Sequence, residues 1–131
     1  MTTTHNEPTT RTITLTNRAP VEIVDDHWLV IAEARAHDGM IAVQANRRWW
    51  MKVRQHVDGR VIVYGAYLTQ WQGEIDRRDG EVFGAPTTRW ANGVRLHEDT
   101  AAAIRRVAAS LNAPDTLVRE LIANLPAEPL T

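Results

Sequence analysis

The chain has 131 residues, of which 44% are hydrophobic and 24% are charged, with a formal net charge of −1. This composition is typical of a single soluble globular domain rather than of a disordered, fibrous or membrane chain. The absence of cysteine excludes disulfides, thiolate–zinc sites, iron–sulfur clusters and cysteine nucleophiles.

The two ends of the chain lack hydrophobic periodicity. We therefore expect flexible tails at residues 1–10 and 126–131, and a single α+β domain over residues 11–125. The chain has no apolar run close to the roughly 20 residues that cross a bilayer, and its N-terminus lacks the features of a secretory signal. These absences predict a cytoplasmic protein of bacterial type that does not contact membranes.

The N-terminal third is predicted to contain two short strands and one helix. Polar and apolar residues alternate over residues 12–16 and 21–24, a pattern that is typical of half-buried strands. Four side chains then recur at helical spacing: Trp28, Ile31, Ala32 and Arg35. This spacing predicts an N-terminal helix over residues 26–37.

A β-meander is predicted in the middle of the chain. A strand over residues 49–57 is followed by Asp-Gly at 58–59, which is a strong hairpin signal because the turn requires positive φ angles. The chain returns as an antiparallel strand over residues 60–68. A second Asp-Gly pair at 79–80 predicts another hairpin, which closes onto residues 81–83.

Two helices are predicted at the C-terminal end. The apolar stripe of the first is Ile104, Val107, Ala108 and Leu111. The second begins at Pro114, a residue type that is favoured in the first helical turn. The predicted fold is α+β: a three- to four-stranded antiparallel β-meander that is packed on one face by the N-terminal helix and the C-terminal α-hairpin.

The expected turn fixes which side chains of the meander share a face. Two loop residues at 58–59 place Val57 opposite Arg60. The apolar face, which helices are expected to cover, is then Trp49, Met51, Val53, Gln55, Ile62, Tyr64, Ala66 and Leu68. The other face draws on residues 44–60, the only basic segment, in which five cations accompany one carboxylate. Its candidate binding residues are Arg48, Trp50, Lys52, Arg54 and Tyr67, and Gly65 is expected to leave room for a ligand.

A basic sheet face with aromatic rings is typical of proteins that hold single-stranded nucleic acid, because rings stack on bases while cations follow phosphates. The predicted function is a small non-catalytic module that binds nucleic acid through this face. Two alternatives remain open. Arginine stems and aromatic pairs often only stabilise a solvated sheet face. Exposed Trp, Tyr and Arg are also typical of protein interfaces, including those of oligomers.

Residues 101–125 have the apolar spacing of a helix-turn-helix, which gives DNA binding as a third candidate function. The candidate contacts are Arg105, Arg106, Thr116 and Arg119. Asn112 takes the place of the usual turn glycine, and Asp115 and Glu120 would repel phosphate. A plain α-hairpin docked on the sheet accounts for the same spacing equally well.

Catalytic and metal-binding patterns are missing from the sequence. The only lysine, Lys52, lies in a predicted strand and the only serine, Ser110, in a predicted helix, so the chain lacks both a phosphate loop and a nucleophile elbow. No two of the five histidines have the spacing of metal ligands on a helix or strand. We expect a protein without enzyme activity, cofactor or metal, although acid–base chemistry by distant Asp, Glu and His side chains stays open.

Overall fold

A computed structural model describes residues 9–16, 18–84 and 93–126 of the chain. The elements, in chain order, are β1 (Thr10–Ile13), β2 (Val21–Val24), β3 (Trp28–His37), β4 (Arg47–His56), β5 (Val61–Thr69), β6 (Arg77–Phe83), α1 (Gly93–Ser110) and α2 (Asp115–Ala123). Short 3-10 turns at Asp25–His27 and Ala42–Gln44 precede β3 and β4. The α+β class, the antiparallel sheet and the two C-terminal helices are confirmed. The predicted tails lie largely outside the described residues.

Strands β3 to β6 form one antiparallel sheet in sequence order, and β1 and β2 form a separate two-stranded hairpin. The two helices cover one face of the sheet, which we call the helix-side face, and the β1–β2 hairpin packs on the other, the hairpin-side face. The helix-side cluster includes Met51, Val53, Val61, Val63, Ile104, Val107, Leu111, Leu117 and Leu121. The hairpin-side cluster is Ile13, Leu15, Ile23, Trp28, Ile62 and Tyr64. The sheet is therefore packed on both faces, whereas the sequence predicted packing on one.

The predicted helix over residues 26–37 is wrong, because this segment forms β3. Ala32, Ala34 and Ala36 alternate toward the helix-side core, which is the period of a strand. A bulge between Val30 and Ala32 shifts the register, so that Trp28 faces the other way into the hairpin-side cluster. The inserted residue interrupts the two-residue alternation of apolar side chains along β3. The resulting spacing of apolar residues resembles that of a helix.

The predicted β4–β5 register is wrong by one residue. The turn has three residues, Val57 to Gly59, because the His56 backbone N–H donates to the Arg60 carbonyl oxygen at 2.8 Å. Gly59 has a φ of 99°, as the last position of a three-residue hairpin loop requires. Gln55 consequently pairs with Val61, and every side chain of β5 lies on the face opposite to the one predicted.

The predicted hairpin turn at Asp79-Gly80 is also wrong, because both residues lie inside β6, where they pair with Gly65 and Tyr64. The turn between β5 and β6 falls earlier, around Gly73, which has a φ of 89°. Gly80 does not form a turn; it allows another segment of the chain to pass close to β6. A Cβ there would lie 2.9 Å from the Thr14 carbonyl oxygen, where the chain leaves β1 and crosses the sheet.

The two helices pack as a hairpin on the helix-side face. The Asn124 side-chain amide donates to the Glu33 carbonyl oxygen at 3.1 Å, which ties the end of α2 to β3. Arg106 of α1 makes an ion pair with Glu81 of β6 at 2.9 Å. The turn between the helices contains Asn112 with a φ of 52°, a conformation that asparagine tolerates better than most residues. Within the described part of the chain, neither helix is long and apolar enough to span a membrane.

Candidate functional site

Part of the predicted basic face lies at the surface, on the hairpin-side face of the sheet. Alternation along β4 places Arg48, Trp50 and Lys52 together on this face. The β1–β2 hairpin covers Ile62 and Tyr64, and Trp50 packs against the same cluster. Arg48 is exposed, and Trp50 and Lys52 are both half-buried.

Two further arginines on this face belong to the edge strands β3 and β6. One row of paired residues crosses all four strands in the order Arg35, Trp50, Ala66, Arg78. Arg35 and Arg78 are both exposed, and neither forms an ion pair within the described residues. We define the basic surface as Arg35, Arg48, Trp50, Lys52 and Arg78.

Trp50 lies at the centre of the basic surface and connects it to the core. Its ring meets the edge of the Tyr64 ring, with 5.5 Å between centroids and an interplanar angle of 87°. The Lys52 ammonium lies 5.6 Å from the Trp50 ring centroid, in the range of a cation–π contact. The Trp50 ring thus contacts a buried aromatic ring and the flexible side chain of Lys52.

The basic surface is dominated by positive charge. Among the described residues, Glu33 lies opposite Lys52 in the sheet, and Lys52 is also close enough to Asp25 to contribute to the lowered pKa of that carboxyl. Glu33 is exposed, so its attraction for Lys52 is weakened by water and by salt. The surface is therefore suited to an anionic ligand.

A cleft of about 130 Å³ separates β1 from the sheet beside the basic surface. Thr12 and Thr14 line one wall, and Trp50 and Arg78 line the other. Threonine hydroxyls and arginine N–H groups both donate hydrogen bonds to phosphate oxygens. The cleft thus adds neutral donors beside the basic surface, and its lining also includes one cation, Arg11, and one carboxylate, Asp79.

Arg54 is not part of this surface, contrary to the prediction, because it is 5% exposed. Its guanidinium donates to the Tyr64 hydroxyl at 2.7 Å, to the Trp28 carbonyl oxygen at 3.0 Å and to the Asp25 carboxylate at 3.4 Å. Asp25 also accepts two hydrogen bonds from Arg11, and this pairing lowers the pKa of Asp25 below its ordinary value. Arg54 therefore stabilises the junction between the hairpin and the sheet.

Tyr67 lies on the opposite face from Trp50, because of the one-residue register error. It pairs with Trp49, and the two rings lie 5.2 Å apart with an interplanar angle of 34°. The Tyr67 hydroxyl donates to Glu74 at 2.7 Å and accepts from Arg47 at 3.1 Å. Tyr67 is 7% exposed and cannot stack on the ligand of the basic surface.

A side chain at position 65 would collide with the folded chain. A Cβ at this position would lie 2.5 Å from the Trp50 carbonyl oxygen and 2.7 Å from the Met51 side chain. Leu111 of the helical hairpin follows at 3.2 Å. Gly65 therefore permits close packing of the core on the side where a Cβ would project, and it also lines the cleft beside Trp50 and Arg78.

Two of the helix-turn-helix candidates, Arg105 and Arg119, line one cavity of about 580 Å³ on the helical hairpin, together with Asp115. Arg105, Thr116 and Arg119 are exposed, while Arg106 is engaged with Glu81. The anchors of α2, Leu117 and Leu121, are fully buried in the helix-side cluster. This arrangement is that of an α-hairpin docked on a sheet, and DNA binding through these side chains stays a prediction.

Sequence reasoning missed Arg35 and Arg78. Arg35 was assigned to a helix, and Arg78 was placed just before an expected turn, so neither was assigned a position in the sheet. The repeating Ala-x-Ala-x-Ala pattern of residues 32–36 was the available signal for β3, since it places Arg35 on the face opposite the alanines.

The comparison with known proteins does not assign a family. No protein-family model, curated protein or solved structure matches the chain. Among the described residues, no group of three or more His, Asp or Glu side chains is arranged to hold a metal ion. The geometry of the basic surface is therefore the basis for a functional proposal.

Proposed function

We propose that the chain is a small non-catalytic module that binds single-stranded nucleic acid across the basic surface. The observation that carries the proposal is the grouping of four cations around one half-buried tryptophan ring on a sheet face. Cations attract the phosphates of any sequence, and an aromatic ring accepts any base. The expected binding is therefore strongly dependent on salt and weakly dependent on sequence.

Trp50 provides the platform for one base. In the free protein the Lys52 ammonium lies over this ring, and a base would take its place while Lys52 turns to a phosphate. Arg35 and Arg78 lie on either side of Trp50 in the same row, so the strand is expected to run across the sheet from β3 to β6. Four strands span about 14 Å, which is enough for a few nucleotides.

The proposal is tested by the fluorescence anisotropy of a labelled oligothymidylate of about 12 nucleotides. Trp50→Ala is expected to weaken binding by roughly 5- to 150-fold, the equivalent of about 1–3 kcal/mol for one stacked base. Trp50→Phe retains a ring and is expected to recover most of the loss. Because each phosphate contact contributes about 0.7 to the salt slope on a single strand, Arg78→Gln is expected to reduce that slope by about 0.7.

Arg77→Gln is the matched control, because Arg77 has the same charge as its neighbour Arg78 and projects from the other face of the sheet. It is expected to bind the oligonucleotide as the wild type does. The proposal fails if the wild type does not bind at low salt. It also fails if the two glutamine variants lose affinity equally, since binding would then follow total charge and not the surface.

A second candidate function is self-association through the loops at one end of the sheet. The β3–β4 and β5–β6 connections lie side by side, joined by the Gln70 backbone N–H, which donates to the Asn46 carbonyl oxygen at 2.8 Å. Together they expose Met40, Ile41, Val43, Trp71 and Ile75. The nearby carboxylates of Asp38 and Glu74 both contact Arg47, so part of the charge at this end is balanced within one chain.

Light scattering over a range of concentrations tests this second candidate. A dimer that dissociates on dilution is expected, and the double variant Val43→Ser, Ile75→Ser is expected to be monomeric. Val57→Ser is the control, because Val57 is 82% exposed in the β4–β5 turn at the other end of the sheet, close to the 83% of Val43. A wild-type protein that stays monomeric at every concentration would contradict self-association.

A further inference from the structure

A second cavity lies on the helix-side face, at the end of the sheet where β4 begins and β5 ends. Its volume is about 490 Å³, within the range of roughly 300–1,000 Å³ that is usual for small-molecule sites. Its principal lining side chains are Arg47, Trp49, Tyr67, Glu74, Ile75 and Arg77. The sheet separates it from the basic surface, so its ligand is independent of the proposed nucleic-acid binding.

One side of the cavity is a hydrogen-bond network around Glu74. The carboxylate accepts from Arg47 at 3.1 and 3.2 Å, and from the hydroxyls of Tyr67 and Thr69 at 2.7 Å each. The hydrogen bond from Arg47, followed by those from the two hydroxyls, lowers the pKa of Glu74 to about 2. Glu74 therefore stays ionised at neutral pH, and its charge is balanced by Arg47.

Arg77 also lines the cavity, and no carboxylate of the described residues pairs with it. Its guanidinium lies 5.5 Å from the Tyr67 ring centroid, directly across the β5–β6 pair. Among the described residues, Arg47 is thus paired with Glu74 and also lies 3.8 Å from Asp38, whereas the Arg77 guanidinium stays available to a ligand.

The cavity also has an apolar wall that is held in place. The indole N–H of Trp49 donates to the Leu111 carbonyl oxygen at 3.0 Å, which fixes the ring against the turn between the helices. Ile75 completes the wall and is 78% exposed. Asn112, in the same turn, supplies an amide at the rim. The site thus combines flat apolar surface, one free guanidinium and one neutral polar group.

We infer that this cavity binds a small planar organic anion of the aromatic carboxylate class. The ring of the ligand packs between Trp49 and Ile75, which buries apolar surface on both sides. Its carboxylate meets the Arg77 guanidinium, whose planar fork matches two carboxylate oxygens. Glu74 does not repel the ligand strongly, because four donated hydrogen bonds and the adjacent Arg47 already compensate its charge.

The test uses 2-naphthoate as the probe and the indole N–H resonance of Trp49 as the readout, with Trp49→Phe to assign that resonance among the five tryptophans. Naphthoate is expected to shift the resonance saturably. The neutral analogue 2-naphthamide is expected to bind about 10- to 100-fold more weakly, because it lacks the charged hydrogen bond to Arg77. Arg77→Gln is expected to reduce the affinity for naphthoate to that of naphthamide, whereas Arg78→Gln leaves it unchanged.

Three results would overturn the inference: naphthoate that does not saturate the wild type, naphthamide that binds as tightly as naphthoate, or unchanged affinity in Arg77→Gln. The comparison of anion with neutral analogue needs only the wild-type protein. It therefore decides the inference even if the Arg77 variant does not fold. A negative result with naphthoate does not count against nucleic-acid binding by the basic surface, because the oligonucleotide experiment measures the other face of the sheet.

Discussion

Two cations of the same strand and the same face, Lys52 and Arg54, have opposite environments. Lys52 is half-buried with its ammonium over an aromatic ring, whereas Arg54 is buried and donates to three different acceptors. Only a guanidinium offers several N–H groups in fixed directions, so lysine could not satisfy the same set. At the residue scale, burial under the β1–β2 hairpin turns a candidate binding residue into a structural one.

We predict that Arg54→Ala strongly destabilises the fold and that Lys52→Ala does not. Removal of the guanidinium leaves the Tyr64 hydroxyl and the Trp28 carbonyl oxygen without a donor, at a cost of about 1–3 kcal/mol for each buried group. Loss of a surface cation usually changes stability by less than about 0.5 kcal/mol. Urea unfolding of the two variants measures both free energies.

Arg54→Lys separates the charge from the geometry of the side chain. It keeps a cation beside Asp25 and loses the planar fork, so it is expected to remain well below the wild type in stability. Equal unfolding free energies for Arg54→Ala and Lys52→Ala would show that the buried network contributes little.

At the scale of the elements, alternation within β4 could be predicted and its pairing with β5 could not. Residues on one strand face alternate regardless of the partner, so the positions of Trp50 and Lys52 relative to Met51 and Val53 follow from sequence alone. The face on which each β5 side chain lies depends on the length of the β4–β5 turn. Asp-Gly fits both a two-residue loop and a three-residue loop that ends in glycine. Because residues 61–67 are all buried, β5 has no polar face to indicate the register.

Strand β3 illustrates a different limit. Its helix-side residues are alanines, whose small side chains give a weak alternation and whose helix propensity is the highest of any residue. Because of the bulge after Val30, even-numbered side chains lie on the hairpin-side face before it, as Trp28 does, and on the helix-side face after it, as Ala32 does. Pairing with β4 and the packing of α2 outweigh the local preference, and neither contact is visible in a local window of sequence.

For the molecule as a whole, the candidate site could be predicted only in part because it is assembled across strands. Arg48, Trp50 and Lys52 belong to one strand and were predicted to share a face. Arg35 and Arg78 come from the two edge strands, and they join the same row only through two successive pairings. The net charge of −1 does not reveal this grouping, because it is a sum over the whole chain.

The three layers of the molecule meet at Asp79 on the edge strand β6. Its carboxylate accepts a hydrogen bond from Thr16 Oγ1, just after β1, at 2.5 Å, and another from Ser110 Oγ at the end of α1. The Thr16 backbone N–H also donates to the Gly80 carbonyl oxygen at 2.8 Å. Asp79 therefore links the hairpin layer and the helix layer to the same point of the sheet.

We predict that Asp79→Ala loosens the β1–β2 hairpin more than the helices. The hairpin-side cluster is smaller than the helix-side cluster, so the hairpin is expected to open in a local unfolding step of lower free energy. Loss of a hydrogen bond to a charged group, worth about 1.5 kcal/mol, would speed amide exchange in the hairpin roughly tenfold. Native-state hydrogen exchange measures this rate separately for β1–β2 and for α1.

Asp76→Ala is the control for this experiment, since Asp76 accepts from the Thr69 backbone N–H in the β5–β6 loop and makes no contact with the hairpin. It is expected to leave exchange in β1–β2 unchanged. If Asp79→Ala instead speeds exchange in the hairpin and in α1 by the same factor, the layers unfold together and the hairpin is not a separate unit. A separately opening hairpin matters for function, because β1 forms one wall of the cleft beside Trp50 and Arg78, so its opening would widen the basic surface at that edge.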